Sequence, residues 1–280
     1  ILKSRSDNKA NQKANFSALR NYAIYGKYNP TLNAPSEQAL KAMNPQELLN
    51  LLKNLKNYKQ TVLYYGPSSL KDIDQLVSKT ILSPKKFAAV PAIKRYKEET
   101  TPKNEVIIAP YDAKNIYMVQ FHNDDQKWSA DRAPIIALFN EYFGGGMNAI
   151  VFQELRESRG LAYSAYAKYD SPYRLGGNEN FYTYIITQND KMMDCVKEFN
   201  KLLNNVPVRQ SGFDLAKQSL MKSLASNRTT KYAILTSYLA AQRLGIDYSL
   251  SEKIYKAIPS LQLQDVINFE KEYIANKPFK

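Results

Sequence analysis

Among side chains that commonly carry catalysis or bind metal, this chain holds one imidazole, His122, and one thiol, Cys195, in 280 residues. Chemistry built on clusters of His or Cys is therefore nearly absent, since a protein zinc site alone takes roughly three or four ligands. His122 follows the apolar run Ile116–Phe121 and precedes Asn123, Asp124 and Asp125. That pattern predicts a strand end, a polar turn and a surface histidine rather than a ligand. Cys195 lies on an apolar stripe with Met192, Val196, Phe199, Leu202 and Leu203 and has no neighbouring base, so it reads as a core residue rather than a reactive thiol.

The glycine run Gly144, Gly145, Gly146 is the other feature with chemical potential. A phosphate cradle would need Lys and Ser or Thr closing the run, and Met147 and Asn148 stand there instead. The run reads as a turn between helices: one pattern ends near Phe143, and a second resumes over Met147–Ser158 with Ile150, Val151 and Leu155 toward a core. The glycines permit positive φ and a sharp reversal. An alternating aromatic strand follows, to Tyr169.

The whole stretch FNEYFGGGMNAIVFQELRESRGLAYSAYAKY, Phe139 to Tyr169, resembles the signature of the insulinase/pitrilysin family of zinc peptidases, in the form found in its non-catalytic C-terminal half. Looser similarity runs through Tyr28–Pro67 and Phe213–Arg228. The resemblance implies a half-chamber that encloses and binds peptide substrates for endoproteolysis. It places substrate-binding roles on Arg156 and Tyr163, seven residues apart, which would reach across the chamber to the reacting carbonyl. A phenol and a guanidinium aimed there donate hydrogen bonds that strengthen as charge develops. By spacing alone, Tyr163 would pack in the sheet and Arg156 would pair with Glu157 or another acid.

The family's inverted His-x-x-Glu-His zinc motif needs two histidines, so the resemblance implies no catalytic residue, no metal ligand and no bound cofactor in this chain. Zinc is expected in the full-length protein. The implied partners are peptide substrates and the missing N-terminal catalytic half, in the same polypeptide or as a partner subunit, without which the chain would not be active. The alternative is a degenerate member acting as a structural or assembly subunit without peptidase activity. A basic polyanion-binding module is a third reading.

That third reading follows from the net charge of +13. Residues 1–104 hold 18 Lys and Arg against 7 Asp and Glu, and residues 105–280 hold 21 against 19, so basicity belongs to the first third. Lys53, Lys56 and Lys59 sit on a helical pattern without the aromatic and glycine interleaving of RNA-binding motifs, and solvated helix faces explain them without nucleic acid. With 44% hydrophobic residues the chain can bury a large core or two smaller ones. It has no apolar run of about 18 residues for a membrane span. One cysteine excludes an internal disulfide framework and leaves the compartment open.

These features imply several elements. Asn44–Tyr58, with Leu48, Leu49, Leu51, Leu52 and Leu55, predicts an amphipathic helix opened by Asn44 and Pro45, and Thr61–Tyr65 predicts a strand stopped by Gly66 and Pro67. Lys41–Thr61 resembles Lys256–Phe279 at an offset of 215 to 219 residues, and an aromatic-rich helix closing on glycine precedes each, at Gly26 and Gly245. The second copy stops where its strand should start. With the first residue not Met, this suggests an excised fragment lacking one terminal strand.

Pro84–Pro102 reads as a connector. The expected organisation is 1–83 as the end of a preceding family-like domain, 84–104 as connector, and 105–280 as a second such domain. Strands are expected at Val106–Ala109, Ile116–Phe121, Ala162–Tyr169 and Asn180–Thr187. Helices are expected over Ala130–Phe143, after an Asp190 cap, and over Gly212–Asn227 and Tyr232–Leu244. The order ββααββααα makes the class α+β, a mainly antiparallel sheet with helices packed on it.

Overall fold

The computed structural model describes residues 1–81, 84, 86–227 and 229–280. The proposed boundary at Ser83 and the end of the helical similarity at Arg228 lie outside the described residues. The N-terminal region contains α1 (Leu2–Lys9), α2 (Gln12–Tyr25), α3 (Glu37–Ala42), α4 (Pro45–Asn54) and α5 (Leu70–Thr80). Then come β1 (Asn115–His122), α6 (Ala133–Phe139), α7 (Ile150–Phe152), β2 (Ser164–Asp170) and β3 (Asn180–Gln188). The remainder is α8 (Met192–Asn204), α9 (Gln210–Ser226), α10 (Lys231–Leu244), α11 (Leu250–Ala257) and α12 (Leu263–Tyr273).

The class is α+β. The sheet is antiparallel and three-stranded in the order β1-β3-β2, with Met118 opposite Ile185 and Ala165 opposite the same residue. Strand alternation sorts its two faces. Phe181, Thr183, Ile185 and Thr187 of β3 turn to the core with Ala165, Ala167 and Tyr169 of β2. The core is completed by Phe139, Phe143, Leu155, Phe199, Leu203, Phe213, Val266 and Phe269 from the helices. On the other face Tyr166 stacks on Tyr184 at 5.1 Å, and α2 lies over it with Phe16 5.6 Å from Tyr117 and Arg20 5.7 Å above the Tyr182 ring.

Helix starts follow their capping residues: Asn11, Ser36, Asn44, Ser69, Thr230 and Ser249 each accept a backbone N–H of the first turn. The Ser69 cap opens α5, which the sequence reading did not anticipate. Asp190 does not cap α8; it lies in a 3-10 turn, Asn189–Lys191, ahead of the helix. The expected strands at Thr61–Tyr65 and Val106–Ala109 are irregular, so among the described residues β1 is the strand that precedes α6. A strand is held by its neighbour's N–H and C=O groups, and no described segment pairs along either stretch. No helix among the described residues is long and apolar enough to cross a membrane.

Glu270 on α12 is buried, its Oε1 has no hydrogen-bond partner, and desolvation pushes its pKa up to about 7. A carboxyl with a raised folded pKa keeps a proton that the unfolded chain has lost. Stability should therefore fall as pH rises from the ordinary value of 4.5 to about 7, with the full cost present above that window. Glu270→Gln should flatten this slope and stabilise the protein at pH 8 by up to about 3 kcal/mol, on the scale of about 1.4 kcal/mol per pKa unit. Urea midpoints measured against pH for both proteins check this, and parallel curves would refute it.

Candidate functional site

Gly144 does not serve the turn through positive φ; that conformation occurs at Gly26, Gly160, Gly176 and Gly245. Its role is close approach, since a Cβ on Gly144 would lie 2.0 Å from the Ala167 carbonyl oxygen of β2. The helix end is further tied to that strand by Asn140, whose side-chain amide donates to Tyr169 O at 2.9 Å and accepts from Tyr169 N at 2.8 Å. Tyr142 donates to Pro207 O at 2.7 Å and accepts from Arg209 N, fixing the same turn from its other side.

Two π-helical turns flank the glycines: Asn140–Gly144 extends α6, and Gln153–Ser158 extends α7. Such turns are rare and occur frequently at functional sites. The second carries Arg156. Its guanidinium carbon sits 4.8 Å over the Phe152 ring, and its Nε is 3.7 Å from Glu157 Oε1, with both side chains about half exposed (46% and 52%). The competing acid, Glu154, is engaged by Arg159 at 3.8 Å and by Arg209. Arg156 therefore faces solvent with one loose, screened partner among the described residues.

Tyr163 lies one residue ahead of β2 rather than within it. Its backbone is nevertheless held to β3: Tyr163 N donates to Ile186 O at 2.8 Å, and Thr187 Oγ1 donates to Leu161 O at 2.6 Å. The side chain is 76% exposed, so it does not pack in the sheet. The two residues thus share one helix–turn–strand element and both reach solvent. An open groove of about 920 Å³ along α8, lined by Arg159, Leu161, Glu198 and Lys201 among others, contains neither.

His122 corrects the expectation of a surface residue. It ends β1 on the core-facing side and is buried under the C-terminal segment, with Nδ1 2.8 Å from Pro278 O and its ring 6.0 Å from that of Phe279. Its Nε2 is buried without a hydrogen bond, 3.7 Å from Asp124 Oδ2. Among the described residues no three His, Cys, Asp or Glu side chains come together to hold a metal ion, so the donor set does not fit zinc. Cys195 is buried in the core as expected, and desolvation pushes its thiol up to about 11, which makes it a poor nucleophile.

One supporting residue left no sequence signal. Glu179 is fully buried and accepts from Arg132 Nε at 2.9 Å and from Ser129 N at 3.2 Å, joining the start of α6 to the start of β3. Asn140 was findable, because a lone amide in an otherwise apolar helical run needs a partner.

The sequence matches the protein family described as the peptidase M16 inactive domain over residues 42–220. No curated protein matches it significantly. Among solved structures, a peptidase M16 inactive domain from Pseudomonas fluorescens superposes with a TM-score of 0.69 at 18% identity, covering 98% of this chain and 69% of that one. A protease from Helicobacter pylori gives 0.64 at 16%, covering 91% and 62%. The ferredoxin protease FusC, solved in complex with Arabidopsis ferredoxin, gives 0.72 at 12%, covering 99% of this chain and 30% of FusC. Likeness at these identities establishes the fold.

Proposed function

This chain belongs to the family of the peptidase M16 inactive domain, the insulinase/pitrilysin type, and from that premise we propose that it is the non-zinc-binding portion of a zinc metalloendopeptidase, enclosing and binding peptide substrates opposite a catalytic half. The observation that carries the proposal is the family match itself, which spans the whole Arg156–Tyr163 element. Zinc, held by the catalytic half, would supply the activated water. The part of this chain is hydrogen bonding: Tyr163 O–H and the Arg156 fork donate to the carbonyl oxygen as it gains negative charge. Tyr163 is aimed by a backbone clamped to β3, and Arg156 by its π-turn and its stack on Phe152.

On this reading residues 1–83 close a preceding similar domain, 84–104 connect, and 105–280 form the next one. The internal repeat supports the division. Asn44 and Gln262 are both helix N-caps, each followed by an acid in the first turn, Glu47 and Asp265. Counting from the caps, Leu48 and Leu51 correspond to Val266 and Phe269. The first pair is 53% and 64% exposed, the second 0% and 4%. The same apolar stripe that α12 buries against its own sheet is left open on α4, as expected of a helix whose sheet belongs to a preceding domain.

The test is made on the peptidase assembled with its catalytic half. Tyr163→Phe should lower kcat/KM by about 10²-fold, the cost of one oxyanion donor, with zinc content and Tm unchanged. Arg156→Lys should also weaken turnover, because an ammonium cannot reproduce the planar fork. Unchanged kcat/KM in both would reject the substrate role and favour a structural subunit without peptidase work.

A further inference from the structure

The groove of about 920 Å³ along α8 carries a binding feature of its own, beside the Arg156–Tyr163 element but not part of it. Its floor is one face of the helix: Asp194, Lys197, Lys201 and Asn204 recur at spacings of three and four residues, which stacks them along one side. That face is about 15 Å long at about 1.5 Å per residue, enough for about four or five residues of extended chain. Its wall is the turn between the two candidate residues, at Arg159 and Leu161. Wall and floor are tied together: Lys191 Nζ donates to Gly160 O at 3.0 Å, and Arg159 Nη2 lies 3.5 Å from Glu198 Oε2. The concavity is therefore built by the fold.

What the groove offers a ligand follows from what the protein has already used. Asn204 Oδ1 accepts the Asn276 backbone N–H at 2.8 Å, and a backbone amide can only donate, so the Asn204 side chain keeps its NH2 group unspent. Asn200 Oδ1 likewise accepts from Gln120 Nε2 at 2.8 Å. Neither NH2 group finds an acceptor among the described residues. Glu198 is neutralised, by Lys201 at 2.5 Å and by Arg159. Lys197 has no ion-pair partner among the described residues and is exposed to solvent. From its middle to its C-terminal end, then, α8 presents unused donors. Asp194, in the first turn, supplies the opposing charge at the other end.

We propose that this groove binds an extended peptide segment through an acidic side chain, whose carboxylate is received by Lys197 and the Asn204 NH2 group and is kept from the first turn of α8 by Asp194. The Asn200 NH2 group is left for a backbone carbonyl of the segment. Arg159 and Leu161 lie between Arg156 and Tyr163 in the chain, so a peptide in the groove runs on toward that pair. The groove then acts as a secondary subsite that selects an acid a few residues from the reacting bond. That the ligand is a peptide rests on the function proposed above; that it is acidic rests on the groove's own donors.

The experiment titrates this 280-residue chain with two dansyl-labelled peptides amidated at their C-termini, Ala-Ala-Glu-Ala-Ala and Ala-Ala-Gln-Ala-Ala. The Glu peptide should bind about fivefold more tightly, as for one partly exposed charge pair, and should lose that advantage as salt is raised. Its binding should shift the side-chain NH2 resonances of Asn200 and Asn204. Lys197→Glu, at an exposed position, should reverse the preference, whereas Tyr163→Phe and Arg156→Lys should leave it unchanged. Equal affinity for the two peptides, binding of neither, or an unaltered preference in Lys197→Glu would overturn the proposal. A preference for Glu alongside unchanged kcat/KM for Tyr163→Phe and Arg156→Lys in the assembled peptidase would uphold the groove as an acidic-peptide site and reject the substrate role proposed above, so the two readings fail separately.

Discussion

Glu179→Ala should lower stability by about 3–5 kcal/mol, the cost of leaving one charge of a buried ion pair without its partner. Glu179 has no exposed surface, and Arg132 keeps only a fifth of its side chain in solvent, so neither charge recovers full hydration when the other is removed. Glu179 Oε1 also accepts Ser129 N, and the Glu179 amide donates to Gln126 O. Loss of the carboxylate would therefore unpin the loop that enters α6 and the strand that backs Tyr163. Arg132→Met combined with Glu179→Leu should recover much of the loss, since an apolar pair carries no desolvation penalty. Urea denaturation of the single and double variants measures this directly, and a single-variant loss below about 1 kcal/mol would show that water already reaches the pair.

Gly144→Ala should cost about 3 kcal/mol, the upper end of the overpacking range, because the added methyl meets the Ala167 carbonyl oxygen at 2.0 Å and backbone cannot yield as a side chain would. Gly145→Ala and Gly146→Ala are the internal controls. Nothing lies within 4 Å of a Cβ at either, and neither has positive φ, so both should change stability by less than about 0.5 kcal/mol. If the chain serves in a peptidase as proposed above, Gly144→Ala should also impair turnover, since the π-turn and the strand next to Tyr163 must move apart. Equal tolerance at all three positions would mean that the helix–strand contact is loose.

The comparison of these glycines shows where sequence reading stops. Three adjacent glycines announced a turn, and a turn is there, but only contact with a strand more than twenty residues away singles out the first of them. Strand alternation at Asn180–Thr187, the apolar stripe around Cys195, and the Asn44 cap were all readable, because each depends on neighbours within a turn or two of the chain. His122 was misread for the converse reason: its own neighbours are polar, and the segment that buries it, Pro278–Lys280, is 156 residues away at its nearest contact. Thr61–Tyr65 and Val106–Ala109 have strand composition but form no ladder, since pairing is a property of two segments and propensity of one.

For the candidate site the division is similar. By itself the sequence determined that this chain, with one histidine, cannot build a His-based metal centre, and it placed Arg156 and Tyr163 on one helix–turn–strand element of an α+β family domain. Only the tertiary structure decided that Tyr163 stands in solvent on a backbone clamped to β3, that Arg156 rides a π-turn with a single loose partner among the described residues, and that a buried Arg132–Glu179 pair ties the start of α6 to the start of β3. Exposure and ion pairing depend on what long-range packing brings alongside a side chain, and residue type and spacing carry no record of that.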